Sequence, residues 1–182
     1  MAAEVPSEDD NVIYTFATWV YLLHTAGIEP SDGALAERCA SLDAVTDAAE
    51  GDTVTAAFVE RVSEVLDGAR GPDEVAVIAR ALYGDQVGGE LGEGSRGDRT
   101  HRIRKYQFGR SLPWLARIWE RHPDGSVAPS WLLVRQLTDE VEVMDPNPWN
   151  DVDEERALPV GDFLVLWELD DCTAIHVRSG AG

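Results

Sequence analysis

Between Val12 and Leu23 the apolar residues Val12, Phe16, Trp19, Val20 and Leu23 recur at spacings of three and four. That puts them on one stripe of a helix, which the pattern predicts to end near Gly27. Glu29-Pro30-Ser31-Asp32 reads as a turn that supplies N-cap side chains for a short helix from Ala34 to Cys39, with Leu35 inward. Asp52 or Thr53 caps a third helix carrying Val54, Ala57, Phe58, Val62, Val65 and Leu66, which Gly68 and Gly71-Pro72 stop. A fourth opens at Asp73 with Val75, Ile78, Ala79 and Leu82 inward. The period then changes. Gly84 to Gly97 holds six glycines, which predicts a flexible loop or linker with no core of its own.

Beyond it the apolar runs are short and strand-like. Leu112 to Trp119, Trp131 to Leu137, Val141 to Met144 and Ala174 to Val177 predict strands. Turns fall at His122-Pro123-Asp124-Gly125 and at Thr138-Asp139-Glu140, and Asp145-Pro146-Asn147-Pro148 is a break. Leu158 to Trp167 reads as a short helix. Helices first and strands afterwards predict an α+β domain, an N-terminal helical layer packed on a C-terminal antiparallel sheet. The expected organisation is a flexible acidic N-terminus over 1–10, a helical half over 11–83, a glycine-rich linker over 84–98 and a β-rich half over 99–182.

Composition narrows the function. Of 182 residues, 44% are apolar, enough for a core. Fifteen basic residues against 34 acidic ones give a net charge of −19, which disfavours nucleic acid and anionic membranes as partners. The opening Met1-Ala2-Ala3-Glu4 has no positive charge followed by an apolar run, and Val12 to Leu23 is too short to span a bilayer. Those features predict a cytoplasmic protein without a membrane segment. Eight of the fifteen basic residues fall between Arg96 and Arg121, against Asp98 and Glu120 alone. This segment either lies against the acidic body or serves as a nucleic-acid arm with Tyr106 and Phe108 as stacking aromatics.

Chemistry-bearing motifs are few. Two cysteines, Cys39 and Cys172, exclude a disulfide framework and a cysteine-based zinc module. No His-Glu-x-x-His pair, phosphate-binding glycine loop or Gly-x-Ser-x-Gly elbow occurs, so no metal and no cofactor is expected. Cys172 and His176 on one strand would stand about 13 Å apart, too far for a catalytic dyad. Asp145, Asn147, Asn150, Asp151, Asp153 and Glu154 form an oxygen-rich loop. A calcium loop opening at Asp145 needs Gly sixth and Glu twelfth, where Asn150 and Arg156 stand. Trp149 within that loop is a candidate interface anchor.

Asp139-Glu140-Val141-Glu142-Val143-Met144-Asp145-Pro146, followed by Pro159-Val160-Gly161-Asp162-Phe163-Leu164 and Trp167, resembles the C-terminal half of the double-glycine leader peptidases. These are bacterial, bacteriocin-processing, papain-like cysteine peptidases. The N-terminal order is similar too: a long first helix ending in Ala26-Gly27-Ile28, then Ala34-Leu35-Ala36-Glu37-Arg38-Cys39. The resemblance implies a papain-like arrangement, with Asp145 in the place of the residue that orients the catalytic histidine. The histidine's own place falls on Ser130 or Trp131, and the cysteine's on Tyr14 or a neighbour. Without thiolate and imidazole no acyl transfer can proceed. The resemblance therefore implies a pseudo-peptidase that binds a protein or peptide partner as a subunit of an assembly.

An acidic surface steers a cationic partner. Expected contact residues are Trp149, Asp145, Asp151 and Asp153, with Arg99, Arg102, Arg104 and Lys105 from the basic segment. The alternatives are a papain-like hydrolase using Cys39 or Cys172 as an atypical nucleophile, and a nucleic-acid-associated protein using residues 96–121.

Overall fold

The computed structural model describes residues 8–33, 35–36, 72–90, 103–106, 112–121, 124–144 and 155–178. Helix α1 runs Glu8–Thr25. Its end is a Schellman motif: Ile28 N–H donates to the Leu23 carbonyl at 2.9 Å and Gly27 N–H to the His24 carbonyl at 2.8 Å. Gly27 is the left-handed residue this requires, at φ 83°. Asp32 then caps the helical residues 33, 35 and 36, accepting from Leu35 N–H at 2.9 Å, and Leu35 is fully buried as its pattern predicts. Helix α2, Pro72–Tyr83, carries Asp73 and Glu74 in its first turn, where they favour the helix dipole. The helix predicted over residues 53–66 lies outside the described residues.

Six strands form one antiparallel sheet: β1 Val87–Glu90, β2 Trp114–Arg121, β3 Val127–Leu137, β4 Glu140–Met144, β5 Glu155–Pro159 and β6 Ala174–Val177. Their order is β1-β6-β2-β3-β4-β5. The mixed helix and antiparallel sheet is the α+β class expected.

Val87–Glu90 is the main departure from the sequence reading. A linker was predicted there, yet a single 3₁₀ turn, Gly84–Gln86, leads directly into β1, which pairs with β6 at the sheet edge. Gly88 and Gly89 serve close approach rather than flexibility, and the rest of the predicted linker, 91–98, lies outside the described residues. A Cβ on Gly88 would lie 2.8 Å from His176 Nε2, and one on Gly89 would collide with the Ala174 carbonyl.

Helix α3, Val160–Glu168, follows β5. The predicted helix began at Leu158, but Leu158 and Pro159 complete β5, pairing with Val141 and Glu140. Glu155–Pro159 lacks a strand signal of its own, and Pro159 is tolerated because β5 is an edge strand among the described residues. Strand β3 begins four residues before its prediction, since the Asp124-Gly125 turn matches Arg121 directly with Val127.

Helices cover both faces of the sheet, so the packing has three layers where a single helical layer was expected. On one face Phe16, Trp19, Val20 and Leu23 of α1 and Val75, Ala79 and Leu82 of α2 meet Leu115, Trp131, Leu133, Ile175 and Val177. On the other, Phe163 and Trp167 of α3 and Tyr106 meet Trp114, Ala116, Leu132, Val134 and Ala174. Strands buried on both faces read as continuous apolar runs, and Trp131 to Val134 is one. Burying each such side chain contributes on the order of 2 kcal/mol.

Candidate functional site

The chemistry-bearing side chains that the structure brings together lie on the α3 face. His176 stands on β6 between two residues of the opposite core, Ile175 and Val177, so strand alternation turns its ring to the α3 face. There its Nδ1 is 2.9 Å from the Tyr106 hydroxyl. Either the phenol donates to Nδ1 or Nδ1–H donates to the phenol oxygen. Tyr106 is 1% exposed and His176 2%.

Tyr106 is the last of the described helical residues 103–106 and is held by rings. Its centroid lies 4.4 Å from Trp114, 5.4 Å from Trp167 and 5.5 Å from His176, the last two edge-on. Phe163 extends the cluster, 5.6 Å from Trp167. Such offset pairs add about 1 kcal/mol each beyond their burial. The Trp167 indole N–H donates to the Thr173 carbonyl at 2.9 Å, which ties α3 to the start of β6.

Between α3 and β6 the backbone makes an unusual turn. Asp171 N–H donates to the Glu168 carbonyl and Cys172 N–H to the Trp167 carbonyl, a second Schellman motif, with Asp171 where glycine is usual. Asp171 and Cys172 both sit in the left-handed region, at φ 52° and 56°. Cys172 is therefore in a turn and not on the strand that the sequence reading assumed. Its thiol is fully buried among the residues of the α3-side core.

Asp170, in the same turn, has its carboxyl pushed above the ordinary Asp range, chiefly by burial. The Thr173 hydrogen bond and the charge of Arg117 oppose this, and Asp171 adds to it.

The predicted contact residues divide cleanly. Arg104 is exposed, and Lys105 is half-buried with its ammonium 5.8 Å from the Tyr106 ring centre, within cation–π reach. Trp149, Asp145, Asp151, Asp153, Arg99 and Arg102 lie outside the described residues, as do Cys39 and Phe108. Tyr106 is corrected: a stacking aromatic for nucleic acid must be exposed, and this ring is in the core. Further along, the basic segment's end, Trp114–Arg121, is strand β2, paired with β3 along its length and with β6 at Leu115 and Ala116. No group of three or more His, Cys, Asp or Glu among the described residues could hold a metal ion.

Ser130 and Trp131, which share the place that the resemblance gives to a catalytic histidine, are 6% and 3% exposed. Trp131 packs against the residues of α1. What the sequence reading missed is the Tyr106–His176 pair. The available signal was an imidazole inside an apolar strand, which demands a polar partner, although nothing in the sequence points to one 70 residues away.

No protein-family model matches the chain, and neither does any curated protein or any solved structure. Among the described residues no helix is long and apolar enough to cross a membrane.

Proposed function

We propose that the chain is a non-catalytic protein- or peptide-binding domain, a pseudo-peptidase of papain-like arrangement that acts in the cytoplasm as a subunit of a protein assembly. The burial of Trp131 carries this reading. In a papain-like arrangement the catalytic imidazole opens to substrate from the strand that pairs with the Asp-bearing strand. The β3–β4 hairpin provides that pair of strands, aligning Leu133 with Met144 directly before Asp145 in sequence. The histidine's place falls on Ser130 or Trp131, 6% and 3% exposed, and the indole is packed under α1. The imidazole of β6 offers no substitute, because a general base must reach its proton and His176 is enclosed by Tyr106. Cys172 as nucleophile meets the same objection, being fully buried. An acidic chain of net charge −19 favours a cationic partner.

The test uses the full chain against the proteins encoded beside its gene. A saturable complex of fixed stoichiometry at physiological salt supports the reading. Peptide turnover that iodoacetamide abolishes, with no such complex, replaces it with a cysteine hydrolase.

A further inference from the structure

We propose that the solvent-facing ridge of α3 docks a basic amphipathic helix of a partner protein, seating its apolar stripe on Val165 and Leu169 and its cations on the flanking carboxylates. This rests on the protein-binding reading above and names its surface.

At 100° per residue, Val165 and Leu169 fall side by side, with Asp162 and Glu168 within roughly 60° of Val165 on either hand. Exposure follows that geometry. Val165 is 61% exposed and Leu169 63%, while Phe163 and Trp167 on the opposite side are fully buried. The buried rings fix the roll of the helix, so the ridge is presented rigidly and a partner need not order it. A single exposed leucine would mean nothing. Here two aliphatics one turn apart, Val165 on a nine-residue helix that contains no basic residue and Leu169 at its C-cap, share one outer face.

The charge around the ridge identifies the occupant. A helix C-terminus carries about half a negative charge, which cations stabilise. This one ends at Glu168, and Asp162 stands beside the ridge one turn before Val165. A cationic helix complements these carboxylates, whereas a second copy of a chain of net charge −19, an anionic lipid surface or nucleic acid would be repelled.

The probe is a fluorescein-labelled Leu/Lys amphipathic peptide about five turns long, titrated by anisotropy with the full chain at two salt concentrations. Val165→Ser with Leu169→Ser is expected to weaken binding about ten-fold, and Asp162→Asn with Glu168→Gln about three-fold with a flatter salt dependence. Val77→Ser, equally exposed on α2 at the other face, should leave affinity unchanged. Unchanged far-UV circular dichroism and urea midpoints show that each variant is folded. Equal binding by the ridge variants, equal binding of a scrambled peptide, or an equal loss in the Val77 variant overturns the proposal. A dimer that depends on Val165 and Leu169 in sedimentation also overturns it, by placing a second copy on the ridge. If the ridge variants still form the complex with the neighbour-encoded proteins, this surface is wrong while the protein-binding reading stands. If the unsubstituted chain forms no such complex, that reading fails by itself.

Discussion

The Tyr106 hydroxyl meets His176 Nδ1 at 2.9 Å in the α3-side core, joining a helical turn to a strand 70 residues later. Both groups are out of water, so each needs the other more than a surface pair would. Removing the hydroxyl as Tyr106→Phe keeps the ring stacking and deletes this bond. The expected cost is about 1–3 kcal/mol of unfolding free energy, read from urea denaturation, because the deletion strands a desolvated polar group. A cost below about 0.5 kcal/mol would show that the pair is not buried in solution.

His176 also sets what β1 can carry. With its Nε2 only 2.8 Å from where a Gly88 Cβ would stand, Gly88→Ala forces the imidazole or the strand aside. A loss of about 1–3 kcal/mol is expected from such overpacking. Gly161→Ala is the matched comparison. Nothing lies within 4 Å of its added methyl, and it sits inside α3. There alanine should stabilise by about 0.5–1 kcal/mol, through helix propensity and a less flexible unfolded chain. If Gly88→Ala is neutral or stabilising, the β1–β6 register is wrong.

These two residues also mark where reading the sequence succeeds and where it stops. Local signals carried well. The α1 stripe ended at Gly27 because only a left-handed residue closes that motif, and Ala174 to Val177 emerged as a strand from its own residues. Strands Trp114–Arg121 and Val127–Leu137 were legible as apolar runs, since burial on both faces removes polar alternation. Non-local facts were hidden. Val87–Glu90 is a strand only because β6 lies beside it, and its glycines look the same whether they loosen a loop or admit a neighbour. Glu155–Pro159 is a strand only because β4 templates it. Only the arm alternative requires an exposed Tyr106, whereas its ring is what anchors that charged turn to the core. Of the expected contact surface, Arg104 and Lys105 are placed, and the acidic loop with Trp149 lies outside the described residues.

The turn after α3 asks of Asp171 a conformation that a β-carbon disfavours. Asp tolerates the left-handed region better than most residues, glycine better still, and alanine poorly. Stability should therefore rank Gly above Asp above Ala at position 171, with Asp171→Gly gaining up to about 1 kcal/mol. Thermal unfolding of the three proteins checks the order. Alanine equal to or better than aspartate would mean that the Schellman motif is not formed.

Asp170 provides a prediction that depends on pH. Burial is the largest cause of its raised pKa, so the folded state prefers the protonated acid more than the unfolded chain does, where the ordinary value is 3.8. Asp170 thus binds more protons folded than unfolded, and its contribution to stability falls as the pH rises through the folded pKa. At neutral pH the ionised carboxylate is a net cost, since Arg117 and the Thr173 hydrogen bond only partly offset burial and the neighbouring Asp171. Asp170→Asn keeps the shape and removes the charge. It should raise the urea midpoint at pH 7, raise it less as the pH falls through the folded pKa, and leave it unchanged below 3.8. The opposite trend, with the variant weaker at neutral pH, would mean that the attraction to Arg117 outweighs desolvation and that Asp170 is an ion-pair partner.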